Sequence, residues 1–355
     1  MRRELALIIG CLLLVCAALG AGAPSLAQGK AQARGSAVPS PTPDEGEIEE
    51  GDVVSVSTTE VLLPVTVRDA AGGLVTTLTR KDFRVFEDGR EQPLSDLALR
   101  QVPVDVVLMV DASSSAAANL EDFRRAVEGF AGRLAPEDRV SLIKFDDRVE
   151  LLQDWTQSRL QLRRSLARIV PGVFTRFNDA LLLAAREQFA RARGRHAVIV
   201  LTDGIDSGRG YSTLEAALRA LLEAQATVYI VSNTEIERRR KREELDVLLS
   251  STDALIRFNE LRIGDLREGL RVLDASERNL AQLTAATGGR LYKPASFEAL
   301  DATYAEVADE LRHQYALYYS PLNKARDARF RRVRVQTTDP THKISARIGY
   351  FAPGR

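Results

Sequence analysis

Val104-Asp105-Val106-Val107-Leu108-Met109-Val110 is nearly continuous apolar sequence, and Asp111-Ala112-Ser113-Ser114-Ser115 follows it at once. A run with no polar alternation is how a strand buried on both faces of a parallel sheet reads. Similar runs recur at Val140-Ser141-Leu142-Ile143, Ala197-Val198-Ile199-Val200-Leu201 and Thr227-Val228-Tyr229-Ile230-Val231. Helical spacing separates them: Phe123, Val127, Phe130 and Leu134 in one stretch, Leu181, Ala184, Ala185 and Phe189 in another. Strand–helix alternation predicts an α/β fold, a doubly wound and mostly parallel sheet with helices on both faces. Such sheets place their sites at the carboxyl ends of the strands.

The loops at those ends carry the candidate chemistry. Asp111, with hydroxyls two and four residues on at Ser113 and Ser115, makes a compact set of hard oxygens. Such a set suits Mg²⁺, Mn²⁺ or Ca²⁺ rather than zinc. Thr175, at the opening of the helix that begins Arg176-Phe177-Asn178-Asp179, can supply a third hydroxyl. Asp203, in Leu201-Thr202-Asp203-Gly204, supplies a second carboxylate at another strand end. The three loops could converge on one ion.

Outward from this core the texture becomes β. On the amino side Val61, Leu63, Val65 and Val67 alternate, and Phe83-Arg84-Val85-Phe86 reads as a second strand. Asp88-Gly89 after it favours a tight hairpin, because glycine tolerates positive φ. On the carboxyl side Tyr315, Leu317 and Tyr319 alternate, then Val333 and Val335, then Ile344, Ala346 and Ile348. Residues 53–100 and 314–352 each hold too few strands for a core of their own. They are expected to pair as one small β-sandwich-like domain, with the α/β domain inserted between them. Within that domain residues 233–275 read as a charged, mostly helical excursion. Its basic run, Arg238 to Arg242, is expected to be a solvated helix face, with a partner patch as the alternative. Helices are expected over Leu280–Thr287, stopped by Gly288-Gly289, and over Phe297–Arg312. Leu151 to Trp155 reads as a short edge strand, with Trp155 a packing residue.

At the amino terminus Arg2-Arg3, an apolar run from Leu5 to Leu19 and Ser25-Leu26-Ala27 have the form of a secretory signal peptide, residues 1–27. The apolar run falls short of the roughly 20 residues that span a bilayer, although a retained anchor is the alternative. No later run is long and apolar enough to cross a membrane, so no transmembrane helix is expected in the mature chain. Residues 28–52, rich in Pro, Ala, Ser and acids, read as a disordered tether. Both cysteines, Cys11 and Cys16, fall in the leader, so the mature chain would hold none. Lys+Arg and Asp+Glu are 49 each, which argues against nucleic acid as a partner, since phosphate neutralisation needs a basic excess. With 3 His, a zinc-finger framework is excluded.

These motifs carry a resemblance. Residues 104–310 resemble a von Willebrand factor type A (VWFA) domain: Asp111-x-Ser113-x-Ser115, Thr175 and Asp203 match its metal-ion-dependent adhesion site (MIDAS) in order along the chain. Val173-Phe174 stands where that family commonly has a Gly-Gly pair. The flanks, with Leu78-Thr79-x-x-Asp82-Phe83-x-Val85-x-Glu87-Asp88-Gly89 before the domain and Gln314-Tyr315-x-Leu317-x-Tyr319 and Gly349-Tyr350 after it, are similar to secreted bacterial proteins of the VWFA-related type. The resemblance implies that Ser113 and Ser115 ligate a divalent cation directly, Mg²⁺ first, with Mn²⁺ or Ca²⁺ as alternatives. Asp111 and Asp203 would hold it partly through water, and Thr175 directly or through water. The function implied is non-enzymatic: an exported protein-binding or adhesion module, in periplasm, cell surface or medium. A partner's Asp or Glu carboxylate would complete the coordination. Two other readings stay open, a metal-assisted hydrolase and a structural envelope protein with a vestigial metal site. Against the hydrolase, His196, His313 and His342 are scattered and the metal loops contain no His or Cys. No Gly-x-Ser-x-Gly elbow or phosphate-binding loop is present.

Overall fold

The computed structural model describes residues 60–99, 102–113, 120–192, 194–208 and 210–354. The expected leader and tether, and Ser115, lie outside the described residues.

Six strands form the central sheet, in the order β10-β9-β8-β5-β6-β7. They are β5 (Val104–Asp111), β6 (Arg139–Phe145), β7 (Val149–Thr156), β8 (Arg195–Thr202), β9 (Thr227–Ser232) and β10 (Leu291–Tyr292). All pairings are parallel except that of the edge strand β7 with β6. Every residue of β5 is buried, as its unbroken apolar run requires. The pleat sorts its side chains by parity. Val106, Leu108 and Val110 face one core with helices α1 (Leu120–Ala131), α2 (Arg159–Leu166) and α8 (Leu300–Arg312). Val107 and Met109 face the other, with α3 (Phe177–Leu183), α4 (Leu214–Glu223) and the end of α7 (Glu260–Thr287). Trp155 sits on β7, half-buried, with its ring 6.2 Å from that of Phe189 and the Arg139 guanidinium over it, so it packs.

The flanks interleave as their shortage of strands predicts. One sheet runs β13-β1-β11-β4 and the other β14-β12-β2-β3. Here β1 (Val61–Arg68), β2 (Phe83–Glu87), β3 (Arg90–Gln92) and β4 (Leu94–Leu99) precede the α/β domain. The strands β11 (Tyr315–Tyr319), β12 (Phe330–Thr337), β13 (Lys343–Ser345) and β14 (Gly349–Phe351) follow it. The two sheets share a core of Leu63, Val65, Val85, Leu317, Val333 and their neighbours. Tyr319 from one sheet and Tyr350 from the other both donate to buried Glu87, at 2.9 Å each. Leu99 pairs with Tyr315, so the chain leaves the sandwich and returns to it through one antiparallel strand pair. That is how a whole domain fits between two strands of another.

Four local expectations are corrected. The helix expected over Leu280–Thr287 is the last part of the 28-residue α7. Its earlier turns are rich in Arg and Glu, and Ile263, Leu266 and Leu273 suffice to seat them. Gly288 does end it, in the left-handed conformation. In the basic run on α5 (Thr234–Leu249), Arg239, Arg240 and Arg242 are exposed as expected, but Arg238 is buried rather than solvated: it pairs with Glu235, Asp274 and Glu277. Those acids sit one helical turn back on α5 and on the facing side of α7, and together they offset the desolvation of the guanidinium. The helix expected through Phe189 is regular only to Leu183, then widens into a π-turn over Ala184–Gln188, where buried Gln188 makes a hydrogen bond with the Ser141 hydroxyl at 3.1 Å. Finally, the strand expected through Ile344, Ala346 and Ile348 is two strands. β13 pairs with β1 in one sheet, β14 with β12 in the other, and residues 346–348 cross between them.

Candidate metal centre

The carboxyl ends of three adjacent parallel strands each carry a carboxylate. Register sets Val110 beside Leu201 and Asp111 beside Phe145. Asp111 therefore stands between Asp203, just past β8, and Asp146, just past β6. All three are buried. Asp146 is neutralised by Lys144, whose Nζ lies 2.7 Å from it. Asp111 and Asp203 have no ion-pair partner among the described residues.

Asp111 is held from both sides. Its Oδ1 accepts from the Ser113 N–H at 3.0 Å, and its Oδ2 from the Thr202 hydroxyl at 2.7 Å. The Ser113 hydroxyl bonds it as well. Burial raises its pKa, and the Asp146 charge adds to the rise. Asp203 Oδ1 accepts from the Ile205 N–H at 3.0 Å, and its carbonyl accepts from the Ser276 hydroxyl of α7. Burial, with repulsion from Asp111, pushes Asp203 up to about 7. Two buried carboxylates repelling each other, with no cation at ion-pair distance among the described residues and only the more remote Lys241 acting on Asp203, form a site whose electrostatics favour a positive ion.

Thr175 reaches the same place through its loop. Its N–H donates to the Ser207 hydroxyl at 2.9 Å, and Ser207 returns two bonds to the Thr175 carbonyl from its N–H and its hydroxyl. The Thr175 loop is thus stapled to the loop that follows Asp203. Asp147 accepts from both the Val173 and Phe174 N–H groups, at 3.1 Å each, so these two residues hold the turn with a carboxylate on their backbone. Gly172 donates to the Ala112 carbonyl at 2.8 Å, and a Cβ on it would lie 2.6 Å from Asp146.

The structure thus brings Asp111, Ser113, Thr175 and Asp203 to one end of the sheet. Among the described residues no group of three or more His, Cys, Asp or Glu side chains is arranged to hold a metal. The donor set is two carboxylates with hydroxyls, hard and oxygen-only, which fits Mg²⁺, Mn²⁺ or Ca²⁺. Sequence reasoning passed over Thr202, Asp147, Ser207 and Ser276. Thr202 was adjacent to a quoted carboxylate, but its hydroxyl role appears only once β5 and β8 are neighbours.

Gly204 makes the turn after Asp203 possible. Its φ is +69°, and a Cβ there would meet Leu280 Cδ2 at 2.5 Å. Gly204→Ala is expected to cost about 2–5 kcal/mol, from left-handed strain of roughly 1–2 kcal/mol and overpacking of roughly 1–3 kcal/mol. Urea unfolding checks this, and a cost under about 0.5 kcal/mol would show that the turn relaxes freely.

Residues 105–267 match the family model for the von Willebrand factor type A domain. No curated protein shows significant similarity. Among solved structures, proximal thread matrix protein 1 from the mussel byssus is 15% identical with a TM-score of 0.45, covering 64% of this chain and 51% of that one. This chain therefore spans about half the length of the mussel protein. A second structure of that protein, with a zinc-occupied MIDAS motif, is 16% identical with a TM-score of 0.44, covering 63% and 49%. BatB from Bacteroides thetaiotaomicron is 19% identical with a TM-score of 0.40, covering 59% of this chain and 99% of that one. The sheet order, the two helical layers and the family match agree: residues 105–267 form a von Willebrand factor type A domain.

Proposed function

We propose that this chain is an exported, non-enzymatic protein-binding module in which Asp111, Ser113, Ser115, Thr175 and Asp203 hold a divalent cation, Mg²⁺ before Mn²⁺ or Ca²⁺. The observation that carries the reading is the pair of buried carboxylates, Asp111 and Asp203, at the strand ends with no cation at ion-pair distance among the described residues. When bound, the cation supplies an uncompensated positive charge that attracts an acidic side chain of a partner. The chain's own residues do the rest. Thr202 and the Ser113 N–H orient Asp111, while Ile205 and Ser276 fix Asp203. Ser207 keeps Thr175 against the Asp203 loop. Val173 and Tyr211, both exposed on loops beside these residues, offer apolar contact for the partner around its carboxylate. Tyr211 is steadied by the Arg176 guanidinium over its ring at 5.0 Å.

Residues 1–27 as a leader and 28–52 as a tether would place the module outside the cytoplasm. Among the described residues no helix is long and apolar enough to cross a membrane. The test is capture of partner protein from an envelope extract of the source cells. Retention in Mg²⁺, release by chelator and restoration by added Mg²⁺ are expected, with Mn²⁺, Ca²⁺ and Zn²⁺ as parallel arms. Capture that chelator leaves unchanged would overturn the metal-dependent reading.

A further inference from the structure

At the end of the central sheet opposite the candidate metal centre, the α/β domain and the sandwich enclose a cleft of about 620 Å³. The first residues of β8 line it, together with Leu62 and Pro64 of β1 and Arg347 of the crossing between β13 and β14. Two of its arginines are buried: Arg195 is 7% exposed and Arg347 is 4%. Among the described residues neither has a carboxylate at ion-pair distance.

The two differ in how their N–H groups are satisfied. Arg195 spreads its charge over three acceptors, the Val102 carbonyl at 3.1 Å, Gln314 Oε1 at 2.8 Å and the Leu311 carbonyl at 3.1 Å. Arg347 uses only Nη2, toward the Leu62 carbonyl at 2.7 Å and Gln225 Oε1 at 3.0 Å. Its Nε is buried with no partner among the described residues. Nη1 has no acceptor among the described residues. A guanidinium holds five N–H groups, so three of this one, on Nε and Nη1, meet no acceptor among the described residues. Leaving a buried donor unmet costs free energy, more so on a charged group. Tyr350 offers only its ring, 5.9 Å away. Burial lowers Arg347 to about 10, which still leaves it charged at neutral pH.

The position is enforced by the backbone. The crossing at residues 346–348 is clamped by the end of α7, where the Ile348 N–H donates to the Ala286 carbonyl at 3.0 Å. Gly288 lies so close that a Cβ would sit 2.5 Å from the Arg347 nitrogen. The backbone from which Arg347 projects into the cleft is therefore fixed against the helix stop. Around it the cleft is positive. Arg186 stands exposed on its wall, and the acid Glu223 is already paired with Arg219 at 2.9 Å. His196, stacked on Phe189 and bonded through Nδ1 to the Ala224 carbonyl, has its pKa lowered by burial and by the Arg347 charge. Pro64, Ala185, Ala190 and Ala220 give small apolar walls.

We propose that this cleft binds a small organic carboxylate, its charge met by Arg347 and its apolar part lying against Pro64, Ala185 and Ala220. Such a ligand brings the negative charge that the protein withholds, and the alanine walls leave room for a short apolar body rather than a bulky one. It would contact both domains and so stabilise their junction.

The test is thermal unfolding of the full chain in chelator, which keeps carboxylates from engaging the metal centre. The probes are phenylacetate, its neutral counterpart phenylacetamide, and inorganic phosphate, at constant ionic strength. Phenylacetate is expected to raise the melting temperature, with phenylacetamide and phosphate at least about tenfold weaker. Arg347→Gln and, independently, Ala190→Trp, which fills the cleft from its exposed wall, should each weaken the phenylacetate response by about tenfold or more. Both should keep the Mg²⁺ response of the metal centre. If Arg347→Gln does not fold, Ala190→Trp carries the test alone. Equal responses to acid and amide, a stronger response to phosphate, no response at millimolar phenylacetate, or an undiminished response in Ala190→Trp would each overturn the proposal.

Discussion

Replacing Asp111 by alanine is expected to abolish stabilisation of the protein by divalent cation while leaving its fold intact. A ligand present at 100 times its Kd stabilises the native state by about 2.7 kcal/mol. In the wild type, saturating Mg²⁺ should therefore raise the melting temperature by several degrees. In the variant the same addition should give no shift. The cation-free protein should be little affected, because the terms nearly cancel. The substitution forfeits the hydrogen bonds from Thr202 and Ser113, worth about 1 kcal/mol each. It also removes a buried charge that Asp146 and Asp203 oppose. Asp111→Asn, which keeps the shape and the acceptor toward Thr202, should show the same loss of cation response. Differential scanning calorimetry with Mg²⁺ or chelator reads both arms. A variant that no longer folds would instead show that Asp111 is a structural carboxylate.

The second large effect belongs to the junction of the two domains. Glu310, on α8 and fully buried, accepts from three groups on two strands. They are the Thr66 hydroxyl at 3.2 Å, Arg68 Nη2 at 2.6 Å and the Tyr292 hydroxyl at 2.8 Å. Thr66 and Arg68 lie on β1 of the sandwich, whereas Glu310 and Tyr292 lie in the α/β domain. Breaking a buried pair by removing one partner leaves an uncompensated charge and unmet hydroxyls, at a cost of about 3–5 kcal/mol. Glu310→Ala should lose that much in chemical unfolding. The double variant with Arg68→Ala should recover part of it, since the stranded guanidinium is then gone. A loss under about 1 kcal/mol would mean that the sandwich and the α/β domain are only loosely joined. That outcome would contradict the role of Glu310 as the buried tie between them.

Much of this architecture was legible because it rests on patterns that local sequence must obey. Val104–Asp111 reads as a central strand since both its faces are apolar, and the parity of its side chains is the division between the two helical layers. Tyr315, Leu317 and Tyr319 announce a strand by alternation, and the need of each flank for more strands points to their pairing. The candidate centre was legible where a carboxylate follows a buried strand, as Asp111 and Asp203 do. What escaped reading acts across distance. Ser276 is 73 residues from the Asp203 carbonyl it serves, and a lone serine on a charged helix gives no local signal. Arg238 looked solvated because its run is basic, and only the packing of α5 on α7 supplies the acids that draw it inward. Arg347 was hidden in an apolar alternation that the chain breaks to pass from one sheet to the other.

The proposed function stands on a divalent cation held by the carboxyl ends of β5 and β8 and the Thr175 loop. Anomalous diffraction from crystals of the full chain soaked in Mn²⁺ tests it most directly. One strong peak is expected at metal–oxygen bonding distance from the Ser113, Ser115 and Thr175 hydroxyls, with Asp111 and Asp203 around it, and no such peak in Asp111→Ala crystals. Well-ordered Mn²⁺ bound elsewhere, with no density between Asp111 and Asp203, would contradict it.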